Sequence, residues 1–397
     1  MFKSRRFIIG LVISLVFLGW ALLQENPAKI VATIAGMNWL SLVPALVFYF
    51  IGVWVRAVRW RILLAPLRLK MGLLETFQIV VIGYMANNLL PARIGELVRA
   101  YVVGKREGVR KTSTLATIVV ERIFDGLVMI GFVASALLFV ILFNPGILSV
   151  GTGHTFGTLI VNWSPYIVLG AVAFLAFLVF FVAIASSQRR MERLLRFGMR
   201  FVPGRLHERV ERLATAFIVG LGSLRSRTNM LVVFSLSIMA WLFEAAMYFS
   251  IGNWGFGLTG SDTEPVPFYA YVLATGIVNL STLIPQAPGY LGVFEVVGIG
   301  VLVGAFGVDR GAATSYVFLL HVALYLPVTL LGVVFLARES LSWRELTDLE
   351  KQRAEASDAA HEMEGPVTDL ELAEEDKLPD QGADPATSTP AGKSGPG

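Results

Sequence analysis

Six stretches of this chain, 7–23, 39–55, 112–143, 166–185, 231–251 and 312–337, are apolar almost without interruption. About 20 such residues in a helix cross about 30 Å of hydrocarbon, and each stretch approaches or exceeds that length. They lack the alternation of a barrel wall. The fold class expected is therefore an all-α polytopic membrane protein with about six full transmembrane helices. Composition agrees: 55% of residues are hydrophobic and 16% charged, against about 25% charged in soluble domains. An ordinary soluble enzyme is excluded. The first run follows Lys3, Arg5 and Arg6, and no small-residue cleavage site follows it in Gln24, Glu25 and Asn26. It reads as an uncleaved span.

Two further apolar stretches are broken by proline. Residues 73–90 meet Pro91 and resume at 94–103; residues 266–284 meet Pro285 and Pro288 and resume at 291–306. Proline removes a backbone donor and clashes with the preceding turn. Each stretch is predicted to be a pair of half-helices forming a re-entrant hairpin. Such backbone survives at membrane depth only when buried in protein or lining a wet cavity.

Basic residues give the direction. Arg56, Arg59, Arg61, Arg68 and Lys70, then Lys105, Arg106, Arg110 and Lys111, then the arginines of 188–227 all fall on one side if the N-terminus is cytoplasmic and the first hairpin returns to its own side. The outer loops then hold only Lys29 and Arg310 beside Glu25, Asp262, Glu264 and Asp309. The segment 188–227 reads as a cytoplasmic basic loop, or as an interfacial helix on the anionic leaflet; nucleic-acid binding is not expected of it. Residues 338–397 carry 15 acidic and 6 basic side chains, net −9, whereas 1–337 carry 27 basic and 14 acidic, net +13. That tail has too little apolar content for a core and is predicted to be disordered and cytoplasmic.

The two broken stretches repeat one another. Pro91 to Gly95 and Pro288 to Gly292 have the same spacing, each followed by an acid, Glu96 or Glu295. Gly108-Val109 precedes the span holding Arg122 as Gly307-Val308 precedes the span holding His321, with the same glycine-to-basic distance. A two-residue insertion reconciles the two alignments. With the topology above, the repeats (about 39–143 and 231–337) are inverted, an arrangement characteristic of alternating-access transporters.

An ionisable group inside a span is a functional candidate by default. Glu121-Arg122-Ile123-Phe124-Asp125 places three charges at neighbouring helical positions. Arg122 either contacts a phosphate bidentately or closes an internal ion pair; both readings stand. Arg93, Glu96 and Arg99 share one face after Pro91, where they would either meet an anion or snorkel to head groups. Glu295 and Glu244 are acids in apolar surroundings, protonated or paired with a basic group from another helix. His321 is a buried histidine or, by its repeat relation to Arg122, part of the site. Asn87, Asn88 and Asn279 contact head groups or cap broken helix ends. The absence of Cys excludes disulfides and thiolate chemistry, and His154, His207, His321 and His361 have no metal-binding spacing. No P-loop, HExxH or nucleophile elbow occurs, so neither cofactor, metal nor enzymatic activity is expected.

Asn88 through Glu96, then Glu121 through Asp125, then the 288–295 hairpin resemble the transmembrane region of lysylphosphatidylglycerol synthase, over roughly 39–337. That flippase-like family occurs in bacteria and archaea, and the resemblance implies an integral membrane protein that moves a lipid between leaflets; the location expected is a bacterial inner membrane. Two-domain members carry a soluble aminoacyl-transferase domain after the membrane part. Here only about 60 residues follow, fewer than a usual domain, so lysyl transfer by this chain is not expected. The substrate-binding set expected is Asn88, Arg93, Glu96, Arg99, Glu121, Arg122, Asp125, Glu295 and His321, and the partners are membrane lipids. Three functions follow: translocation of an anionic or aminoacylated phospholipid, carriage of polyprenyl-phosphate-linked sugars, or a non-transporting scaffold for a cytoplasmic transferase. A homo-oligomer is compatible with each.

Overall fold

The structure, a computed structural model of the chain, describes residues 25–90, 94–143, 226–261, 263–282 and 288–338, with positions 16, 19, 176, 190, 193, 197 and 345. The predicted spans at 7–23 and 166–185, the basic segment 188–227 and the tail lie largely or wholly outside the described residues. Among the described residues the structure is helical, with no strand and one isolated antiparallel bridge, Thr259–Pro265. The α-helices are α1 (Pro27–Ala35), α2 (Leu42–Leu63), α3 (Leu73–Leu89), α4 (Gly95–Glu107), α5 (Lys111–Phe143), α6 (Arg227–Phe249), α7 (Phe268–Ser281), α8 (Val293–Phe306) and α9 (Arg310–Arg338).

Four segments are long and apolar enough to cross a membrane: Trp39–Leu63, Lys111–Phe139, Thr228–Phe256 and Arg310–Arg338. They match four of the predicted spans, with one difference of consequence. The span expected at 39–55 continues as helix to Leu63 and carries Arg56 and Arg59 into the protein interior, where both are buried. These two arginines do not belong with the cytoplasmic loop residues. The outer face of α2 shows Val43, Val47, Ile51 and Trp54, and that of α9 shows Val322, Leu326, Leu330 and Val333. Helical spacing of exposed apolar side chains of this kind gives a lipid-facing stripe.

The proline breaks fold into helical hairpins. The backbone N–H groups of Lys70 and Met71, just before α3, donate to the Glu107 carboxylate at 2.6 and 3.0 Å, and Arg106 pairs with Glu75. Thus α4 ends beside the start of α3. Midway along, Gly83 and Gly95 bring the two helices together; a Cβ at Gly95 would run into the Gly83 carbonyl and the Asn87 side chain. Similarly the N–H of Ser261 donates to the Phe306 carbonyl at 3.2 Å, so α8 ends beside the segment leading into α7. Both returning helices stop at a left-handed glycine, Gly108 at φ 69° and Gly307 at φ 64°. Glycine adopts this conformation without the steric cost of a side chain. That accounts for the two glycines recurring at matched positions of the repeat.

The principal helix pairings of the two repeats are unchanged when the halves are exchanged. α2 packs on α6. α3 packs on α9 as α7 packs on α5; α2 meets α3 as α6 meets α7; α4 lies on α5 as α8 lies on α9. Past α6 the helix widens into a π-helical segment, Ser250–Phe256, ended by Gly257 at φ 60°. At the end of α4, Tyr101 and Lys105 hydrogen-bond Glu345 at 3.2 and 2.9 Å. That bond holds the Glu345 carboxyl below, and the Lys105 ammonium above, their ordinary ranges.

A buried ion network and a polar cavity

On α5, Glu121 and Asp125 lie one turn apart and face inward, 1% and 5% exposed. Two arginines from other helices clasp them. Arg99 of α4 is bidentate on Glu121, at 3.1 and 2.7 Å, and its guanidinium stacks on the Trp60 ring at 3.9 Å. Arg59 of α2 is bidentate on Asp125, at 2.5 and 3.2 Å, and also donates to Ser237 at 2.8 Å. Trp241 of α6 donates to the same Asp125 oxygen at 3.0 Å. Next to this cluster, Arg56 of α2 pairs with Glu244 of α6 at 2.7 Å and lies over the Trp241 ring, while Asn279 of α7 donates to Glu244 at 3.2 Å. An uncompensated charge here would cost several kcal/mol. The network therefore ties α2, α4, α5, α6 and α7 into one packing arrangement.

Arg59 also reaches Glu121 at 3.3 Å, so three carboxylates are shared among Arg56, Arg59 and Arg99, and a fourth arginine joins them. Arg122 reaches Glu121 at 2.8 Å and Asp125 at 3.5 Å, sharing acids already held by Arg99 and Arg59. Its side chain is 36% exposed, against 0%, 3% and 4% for Arg59, Arg99 and Arg56. The exposed part lies on the wall of a cavity of about 150 Å³, well above the roughly 10–15 Å³ that admits a water. Arg56, Asp125 and Glu244 reach the same wall. Asn87, Asn88 and Asn279 add amides, and Tyr49, Tyr84, Tyr248, Tyr290 and Tyr325 add hydroxyls on aromatic bodies.

The two hairpins converge on this cavity through α9. Asn88, near the end of α3, donates to Thr329 Oγ1 at 2.8 Å, and Tyr325 donates to the Asn88 carbonyl at 3.0 Å. In the second hairpin, the Gly289 carbonyl lies 2.7 Å from His321 Nε2, and Gly289 itself is held at φ 73° against the Tyr325 ring. His321 Nδ1 lies 2.6 Å from Glu295 Oε1, and Glu295 Oε2 accepts the Gly292 N–H at 2.6 Å, capping α8. Phe294 stacks on the imidazole at 4.4 Å.

The structure thus gathers most of the predicted set. Asn88, Arg122, Asp125 and His321 line the cavity. Glu121 and Arg99 stand behind Arg122, one step from the wall. Glu295 reaches the cavity through His321. Glu96 sits beside Asn87, whose Nδ2 is 3.5 Å away, while Asn87 Oδ1 accepts the Gly95 N–H at 2.7 Å and starts α4. Arg93 lies outside the described residues. Sequence reasoning missed Arg56 and Arg59, whose spacing of three within one turn of an apolar helix was the available signal, and the tyrosines, which carry none. Of the two readings open for Glu244, protonated or paired with a basic group from another helix, the structure shows the pair, with Arg56.

Apolar spans, a buried ion network and a polar cavity define a multi-pass helical membrane protein. A profile of the lysylphosphatidylglycerol synthase TM region matches residues 7–332, and the chain belongs to that family. A UPF0104 membrane protein of Methanothermobacter thermautotrophicus is 26% identical over 83% of this chain and 91% of its own. The glycosyltransferase AglD of Haloferax volcanii is 26% identical over 90% of this chain, which spans 57% of AglD. A UPF0104 membrane protein of Pyrococcus horikoshii is 30% identical over 37% of this chain.

Proposed function

We propose that the chain is a lipid translocase that carries an anionic phosphate-bearing head group through the cavity beside Arg122. One observation carries the reading: four arginines of the network share three carboxylates, and Arg122 is by far the most exposed of the four, on the cavity wall. A guanidinium fixed by two carboxylates presents its remaining N–H groups in a fork suited to phosphate. An exposed guanidinium repels a cationic aminoacyl group placed against it, so an anionic lipid fits better. The two hairpins are read as re-entrant elements of an inverted repeat, entering from opposite faces of the cell membrane (in a bacterium, the inner membrane) with both termini cytoplasmic. Acyl or prenyl tails remain in lipid, and the hairpins alternately open the cavity to each leaflet. The protein acts as a carrier and catalyses no covalent step.

A second reading, carriage of a polyprenyl-phosphate-linked sugar, is favoured by the asparagine and tyrosine lining, which suits hydroxyls beside a phosphate. The glycosyltransferase name of one relative points the same way. Reconstitution in liposomes with fluorescent phosphatidylglycerol, and in parallel with a labelled polyprenyl-phosphate sugar, tests both. Movement of one that falls at least about tenfold on Arg122→Gln, the loss of one charge-assisted hydrogen bond, supports the corresponding reading. No movement of any anionic lipid overturns the translocase and favours a scaffold that recruits a cytoplasmic transferase.

A further inference from the structure

Arg122 and His321 occupy the same place in the two halves. Each is the twelfth residue of its helix, α5 or α9, each follows its left-handed glycine by 14 residues, and each half places an acid 12 residues before that glycine, Glu96 or Glu295. Both line the same cavity. One position holds a side chain that is charged at every accessible pH, the other the side chain whose charge changes most readily near neutrality. The difference is a difference of job.

His321 is held between two acceptors. Its Nδ1 faces the Glu295 carboxylate and its Nε2 faces the Gly289 carbonyl. A carbonyl cannot donate, so Nε2 must carry a hydrogen. The 2.6 Å contact at Nδ1 then needs a further proton, on the imidazole or on the carboxyl. Glu295 Oε2 is taken by the Gly292 N–H. The arrangement therefore holds one proton more than a neutral histidine facing a carboxylate. When that proton leaves, the Nδ1 lone pair confronts the carboxylate in a site where both groups are less than one-tenth exposed, and the hydrogen bonds fixing the hairpin at Gly289 and Gly292 no longer agree. We infer that the Glu295–His321 pair is a proton-binding site that latches the tip of the second hairpin to α9, and that the proton is the ion coupled to lipid movement. The coupling rests on the translocase reading above; the proton site does not. Protonation forms the Nδ1–H···Oε1 bond and closes the tip onto His321. Release returns the proton to the cavity water, leaves a net charge of −1 and frees residues 288–292.

The other charged groups near the pair do not take its place. Across the shared cavity, Arg56 of α2 and Glu244 of α6 are paired with each other, and Arg122 and Asp125 of α5 belong to the ion network. Tyr49, Tyr84, Tyr248 and Tyr290 also line the cavity. Tyr325, on α9 itself, meets the imidazole edge-on at 6.3 Å and spends its hydroxyl on Asn88. Lys29 of α1 lies at the far end of α9, beside Gly311.

Amide hydrogen exchange over 288–296 in the full chain, reconstituted in nanodiscs and followed from pH 5 to 9 after correction for intrinsic rates, tests the site. Exchange in this segment is expected to rise about tenfold or more through a one-proton step as pH increases. Glu295→Gln and His321→Gln, both checked for helical content, should each abolish the step. A flat wild-type profile, or a step that survives both substitutions, overturns the proton site. In liposomes, an imposed pH gradient should change the rate for fluorescent phosphatidylglycerol several-fold in the wild type and leave the ratio near one in His321→Gln. Movement indifferent to the gradient in the wild type overturns the coupling while sparing the translocase. No movement of this lipid counts against the translocase reading for it and leaves the exchange result to decide the proton site.

Discussion

Four guanidinium groups and three carboxylates meet inside the bundle, and the members of that set have different duties. Arg59 is fully buried with both its terminal nitrogens engaged. Removing it leaves buried Asp125 with the Trp241 donor and only the longer Arg122 contact, so Arg59→Met should destabilise the fold by about 3–5 kcal/mol. Arg122 is partly solvated and shares acids already held by Arg99 and Arg59, so Arg122→Gln should cost about 1.5 kcal/mol, the low end for a hydrogen bond to a charged group, while removing transport. Thermal unfolding in detergent separates the two: a large drop in midpoint for Arg59→Met with little for Arg122→Gln is expected, and equal drops would deny Arg122 its separate role. The same pair shows where sequence reading stops. Arg122 sits deep in an apolar run, so its candidacy was legible. Arg59 sits at the end of one, where an arginine ordinarily reaches head groups, and only the docking of α4 and α5 over that end turns it inward. Nothing local to Arg59 encodes that docking.

At the scale of helices, the proline breaks were legible because proline acts locally, and the fold places a hairpin at each. The depth at which α3 and α4 cross was not, since it depends on a matching glycine twelve residues away, Gly83 with Gly95. Neither glycine has the positive φ that would mark it as a turn residue; both serve close approach instead. Gly95→Val is therefore predicted to act as overpacking, splaying the hairpin at about 1–3 kcal/mol, and to weaken the Asn87 cap on α4, whose carbonyl oxygen lies where the new Cβ would go. The expected result is a lower unfolding midpoint together with faster amide exchange in 95–107 and unchanged exchange in 293–306. Equal loosening of both hairpins would mean that the damage is global rather than confined to this crossing.

At the scale of the molecule, exchanging the two halves leaves the principal helix pairings as they are, and such a repeat can be either parallel or inverted. Charge and chain geometry together favour inversion. The first hairpin stands on Lys70, Glu75, Arg106 and Glu107, a charged foot with strong positive-inside character. The second stands on Ser261 and Phe306, close to Asp309, with little positive charge. Both hairpins nevertheless point their tips at the same α9 residue, Tyr325, which lies 15 residues along a helix starting at Arg310. At 1.5 Å per residue that is about 22 Å along the helix, while Phe77 near the first foot packs on Phe335 toward the end of α9 and the second foot adjoins its start, so the feet lie toward opposite ends of α9. The chain has no cysteine, which makes the question open to direct labelling. Single substitutions at the exposed feet, Lys70→Cys and Ser261→Cys, are expected to react with an impermeant maleimide from opposite sides of sealed vesicles of known orientation, Lys70→Cys from the cytoplasmic side. Labelling of both from one side would make the repeat parallel. The two tips would then open toward the same leaflet, and a cavity gated only from that side could bind a head group but could not pass it across.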